Sequence, residues 1–170
     1  IDWSGEGFDL QNYTVGDMPT TFEITPQAGR TAKVWSYEED DHLTVFSIRN
    51  VGMSRMDLSP MTHLIALTVI SAGLSDITLP ESPELFEMNL EGNNFPDIDL
   101  TMYPRLSYLG LTDNRLTTFD ASKYPNLGLL AIGRNQLSEI RLDNPQLWSL
   151  DLAGNNLKEV DLTRLPELYQ

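Results

Sequence analysis

The chain has 170 residues, 41% of them hydrophobic, with 25 acidic against 11 basic residues, a net charge of −14 and no cysteine. That charge opposes binding to DNA, RNA or an anionic bilayer unless a local basic patch exists, and none is visible in the sequence. Without cysteine there is no disulfide framework, no thiolate nucleophile and no zinc ribbon, and without a run of about 18 apolar residues no transmembrane segment is expected.

Residues 1–42 read as turns and short strands. Thr20 to Thr25 alternates Phe22 and Ile24 with polar neighbours, Pro26-Gln27-Ala28-Gly29 is a turn signal, and Thr31 to Tyr37 is a second β-prone run with Val34, Trp35 and Tyr37. The pattern predicts a β-hairpin suited to cap whatever follows. Glu38-Glu39-Asp40-Asp41 joins it to the rest as a solvated acidic loop, since the glycine and spaced carboxylates of a calcium loop are missing.

From residue 43 to the end of the chain one apolar comb repeats. Segments starting at Leu43, Leu64, Leu85, Leu106, Leu127 and Leu147 superimpose with a period of 21 residues, shortened once to 20. We number these coils one to six and count each starting leucine as offset zero. Offset three reads Phe46, Leu67, Met88, Leu109, Leu130, Leu150, and offset five reads Ile48, Val69, Leu90, Leu111, Ile132, Leu152. Offsets ten, thirteen and fifteen are apolar in every coil as well, ending with Leu157, Val160 and Leu162 in coil six. Residues two apart point to the same side of a strand, so Leu150 and Leu152 share a face that Ser149, Asp151 and Ala153 avoid. One such strand cannot bury its apolar face alone, but stacked coils hide it jointly, which defines a solenoid of six full repeats and the start of a seventh.

Offset eight is Asn93, Asn114, Asn135 and Asn155 in the last four coils, but Val51 and Ala72 in the first two. An asparagine there is expected to hydrogen-bond the backbone of its own turn and of the next coil. The rest of each coil is too short for a full helix and in five of the six coils ends near a proline (Pro83, Pro104, Pro125, Pro145, Pro166), which predicts extended segments or single 3₁₀ turns. Asp57, Asp99, Asp120 and Asp161 recur on this side, and their spacing follows from the repeat without any catalytic role.

The spacing L-x-x-L-x-L-x-x-N-x-L resembles the leucine-rich repeat, and residues 43–168 resemble the short-period repeats of bacterial surface and secreted proteins, the internalin group included. The N-terminal hairpin is similar to the β-caps of exported bacterial repeat lipoproteins. The resemblance implies a right-handed β/α-type horseshoe with a parallel sheet on its concave side and a non-enzymatic protein- or peptide-binding role. It also implies an extracellular or cell-surface location, to which the first residue, Ile1 rather than Met, adds the expectation of a processed precursor that carried a signal or lipid anchor.

On such a sheet the side chains at offsets two, four and six face outward, with offsets one and seven at the margins. Coil packing does not require these to be large or apolar, so Ile70, Phe86, Tyr108, Leu129 and Trp148 form a candidate ligand-binding patch, with Arg134 at its margin and Gly110, Ala131 and Gly133 as a shallow floor. Glu87, Glu91, Asp113 and Asp151 would suit a basic ligand. No cofactor or metal site is expected: His42 and His63 lack metal-ligand spacing, and no phosphate-cradling glycine loop occurs. A spacer or assembly element that self-associates through the C-terminal coil, and carbohydrate recognition by the aromatic residues, are the alternative readings.

Overall fold

A computed structural model of the chain describes residues 30–33, 45–50, 52–59 and 61–169. The hairpin expected around Thr20 to Tyr37 lies outside these except for Arg30–Lys33, and the acidic run Glu38 to Asp41 and His42 lie outside entirely. Among the described residues no helix is long and apolar enough to cross a membrane.

The comb becomes a front sheet of six parallel strands. These are β2 (Val45–Arg49), β4 (Ala66–Ile70), β6 (Glu87–Asn89), β7 (Tyr108–Gly110), β9 (Leu129–Ala131) and β11 (Ser149–Asp151), stacked in chain order. The register matches the repeat frame residue for residue. Met88 pairs with Leu109 and Leu109 with Leu130. The one short coil is absorbed without a slip, because Leu150 still sits opposite Leu130. Alternation does the rest: β4 runs half-buried, buried, half-buried, buried, half-buried, and Leu67, Leu109 and Leu130 have no exposed surface.

The far side of each coil is built from short strands and turns. Among the described residues there is no α-helix. Short parallel strands form two back sheets, β1 (Arg30–Lys33) with β3 (Met53–Asp57) and β5 (Asp76–Thr78), and β8 (Thr118–Asp120) with β10 (Glu139–Arg141), together with one 3₁₀ turn at Ala121–Lys123. The break between them falls in coil three, where Pro96 stands at the position occupied by Ser75 and Ser138 in coils two and five. Those serines donate backbone hydrogen bonds to the preceding coil, Ser75 to Ser54 at 3.1 Å and Ser138 to Thr117 at 3.0 Å, and a proline has no proton to donate.

Three further series help to close the coils. At offset seven the backbone is left-handed in every coil, at Asn50, Ser71, Gly92, Asp113, Arg134 and Gly154, with φ between 50° and 72°. In the offset-fourteen series, Asp57, Asp99, Asp120 and Asp161 each accept hydrogen bonds from the amide and hydroxyl of the Ser or Thr two residues on, as Asp99 does from Thr101 at 3.0 and 2.7 Å. These bonds hold the Asp99 and Asp161 carboxyls below the usual range and give the recurring aspartates a turn-closing task. At the proline turn the residue before proline is buried and its carbonyl accepts from the amide three residues on, as Tyr103 does from Leu106 at 3.2 Å.

That last series is chemically mixed: Ser82, Tyr103, Tyr124 and Asn144 are all buried, and each hydrogen-bonds the preceding coil. The Tyr103 hydroxyl donates to the Pro80 carbonyl at 2.7 Å. Burial pushes the Tyr103 phenol well above its ordinary range, and burial raises Tyr124 as well. A phenol whose folded pKa is raised favours folding below the unfolded value of about 10, and that contribution is lost as pH climbs from there toward the folded value. Stability is therefore expected to fall above about pH 10. Tyr103→Phe should flatten that fall while lowering stability at pH 7 by about 1 kcal/mol through the lost hydrogen bond to Pro80, whose carbonyl keeps the Ser82 amide, as read by urea titrations at both pH values.

Candidate functional site

The asparagine ladder fixes how coils sit on one another and therefore how the front face is presented. Each side chain reaches the preceding coil, not the next one as the spacing suggested; Asn93, Asn114 and Asn135 are buried and Asn155 is half-buried. Asn135 Nδ2 donates to the carbonyls of Leu111 at 2.9 Å, Ile132 at 3.1 Å and Gly133 at 3.2 Å, and its Oδ1 accepts from the Leu116 amide at 3.0 Å. Asn93, Asn114 and Asn155 bond to the coil before them in the same way. In coil two the equivalent residue, Ala72, is fully buried and has no such groups to offer.

Outward from this scaffold, the structure brings only part of the expected patch together. Tyr108 and Leu129 are direct partners on adjacent strands, both half-buried, with Glu87 on the other side of Tyr108. Ile70 lies at the far end of β4, two strands from Tyr108, beside Arg49. Phe86 and Trp148 sit on the leading rim of the sheet, 43% and 41% exposed, with the coils of Ser107 and Gly128 between them. Arg134 occupies the left-handed turn after β9 and is paired with Asp113 at 3.0 Å, both partners exposed.

One expectation about shape is corrected. The glycine floor is filled, not open: a Cβ on Gly110 would come within 2.8 Å of Asn89 Oδ1, and one on Gly133 within 2.9 Å of Asp151 Oδ2. These polar side chains lie over the glycines, and each also caps its own strand end, Asn89 accepting from the Glu91 amide and Asp151 from the Ala153 amide. Trp148 is similarly engaged, with its indole Nε1 2.9 Å from where a Gly128 Cβ would be and its ring stacked on Tyr169 at 5.8 Å between centroids and 15° between planes.

The electrostatics of the face centre on Tyr108. Burial raises its phenol pKa, and the charges of Glu87 and Glu91 raise it further, which places both carboxylates in its field. Neither glutamate forms an ion pair with a described residue. The ion pairs that do form join neighbouring coils at the surface, Arg55 to Asp76, Arg105 to Glu84, Arg134 to Asp113 and Arg164 to Asp143. Among the described residues no three His, Asp or Glu side chains gather in a way that would hold a metal ion. His63 is exposed, its Nδ1 3.0 Å from the Thr62 hydroxyl.

The fold and its ladders define a parallel-strand solenoid with coils of about 21 residues and almost no helix. No protein-family model matches the chain, and no curated protein matches it either.

Proposed function

We propose that the chain is a leucine-rich-repeat module of the short-period type found on bacterial surfaces, non-enzymatic, exported, and binding a protein or peptide along the open face of its front sheet. The observation that supports this reading most is the Tyr108 and Leu129 pair: two sizeable side chains side by side on a face where the leucine comb asks for nothing apolar. The asparagine ladder at offset eight adds to it, because that residue at that spacing is the mark of the repeat type. Sugar recognition by Phe86, Tyr108 and Trp148 is served less well, since Trp148 is committed to Tyr169 and Phe86 stands apart on the rim.

Selection of a displayed random-peptide library on the immobilised protein, followed by affinity measurements with variants, tests the reading. Tyr108→Ala and Leu129→Ser are each expected to weaken a selected peptide at least tenfold, about 1.4 kcal/mol, while the melting temperature moves by no more than a few degrees. Selected peptides that bind both variants unchanged would place recognition elsewhere.

A second reading, assembly through coil six, draws on one observation. Leu150, Leu152, Leu157 and Val160 are only half-buried and Leu162 is 46% exposed, although the comb would bury all five. β11 stands at the edge of the front sheet, with β9 as its one neighbour among the described residues. A selection that yields no binder, joined to a concentration-dependent dimer in sedimentation, favours that reading.

A further inference from the structure

We infer that the occupant of the front sheet is an extended basic segment, one of whose lysine or arginine side chains lies on the Tyr108 ring beside Glu87 and Glu91 while an apolar neighbour rests on Leu129. This deepens the binding role proposed above and rests on it.

Charge complementarity is the main support. On the outward face of the described front sheet and its turns the ionised side chains are Arg49, Glu87, Glu91, Asp113, Arg134 and Asp151. Arg134 is spent on Asp113. Arg49 lies on β2, three strands from Tyr108 in the order β2, β4, β6, β7, which at about 4.8 Å per strand is roughly 14 Å, beyond the screening length of about 8 Å in physiological salt. The Tyr108 neighbourhood is therefore negative, within a chain whose net charge is −14. Acidic ligands and nucleic acid are repelled from it.

Glu87 and Glu91 are half-buried, so each has lost part of its hydration without gaining a cation in return among the described residues. An incoming ammonium or guanidinium group supplies that missing partner. A tyrosine ring attracts the same cation to its face, more strongly as water leaves, and in the proposed complex Leu129 accepts the methylene stem or an adjacent apolar residue. An acidic patch alone attracts cations of any kind. The adjoining ring and leucine turn that attraction into a preference for a cation carried on an aliphatic chain.

The test uses a fluorescent eight-residue peptide, Leu-Ser-Lys-Thr repeated twice, and a twin with glutamate in place of both lysines, each titrated against the full chain at physiological ionic strength. The lysine peptide is expected to bind at least tenfold more tightly than its twin. Glu87→Gln and Glu91→Gln should each weaken it at least threefold without lowering the melting temperature, Tyr108→Phe should preserve it, and Tyr108→Leu should remove the preference for lysine. Glu139→Gln, on the back sheet, should leave it unchanged. Equal binding of the two peptides, no binding of either, or an equal loss with Glu139→Gln would overturn the inference, the last by showing that only the overall negative field is at work. If both peptides bind equally and Leu129→Ser abolishes both, the cation preference fails and the binding face stands. If Leu129→Ser and Tyr108→Ala have no effect on a peptide that binds, the face itself is wrong.

Discussion

Replacing Asn135 by alanine is expected to lower the unfolding free energy by about 3 kcal/mol. The side chain is buried and serves four backbone groups, so its loss leaves the Leu116 amide without an acceptor and weakens three carbonyls at once. In a chain of this size that corresponds to a fall in melting temperature of about 6 to 12 °C. Asn135→Asp should cost at least as much although the side chain keeps its shape, because a carboxylate would turn a lone pair on the Leu111, Ile132 and Gly133 carbonyls where an N–H now points. Urea denaturation of the two variants beside the parent measures both effects. A loss of a few tenths of a kcal/mol for alanine would mean that water substitutes fully and that the ladder does not hold the coils.

The second large effect is expected at Leu109. It has no exposed surface and lies between Met88 and Leu130 in the middle of the front sheet, so Leu109→Ala should leave a cavity that neighbouring coils on both sides prevent from collapsing. About 3 to 5 kcal/mol should be lost. Leu162→Ala, the same chemical change at a comb position that is 46% exposed, should cost less than about 1 kcal/mol. The contrast is informative because the sequence pattern treats the two leucines alike. Similar losses at both sites would show that coil six is covered in solution, and the assembly reading would gain accordingly.

The comb made the parallel sheet, its register and its buried residues legible, including the one shortened coil, because the physical demand on those positions is a single property repeated at every turn. The structure bears this out down to Leu109 and Leu130 being enclosed on both sides. Residues with the same task but different chemistry were not legible. Ser82, Tyr103, Tyr124 and Asn144 share a place before the proline turn, yet no hydropathy pattern links a hydroxyl, two phenols and an amide. The aspartates carried a usable signal, a Ser or Thr two residues on in every case, which identifies a side-chain-capped turn before any coordinates are known.

For the candidate site the sequence shows which side chains face outward, and the strand register shows which of them are neighbours. Tyr108 and Leu129 emerge as partners because they share an offset in adjacent coils, whereas Ile70, Phe86, Arg134 and Trp148 belong to other offsets or distant coils and spread apart. The filling of the glycine positions by Asn89 and Asp151 is a contact between coils, invisible along one dimension.

The backward reach of the asparagines has a consequence for how the molecule is made. Because Asn114, Asn135 and Asn155 each satisfy the turn of the coil before them, a turn leaving the ribosome remains provisional until roughly twenty more residues have emerged to latch it. Synthesis and consolidation then run in the same direction one step out of phase, with each newcomer sealing its elder.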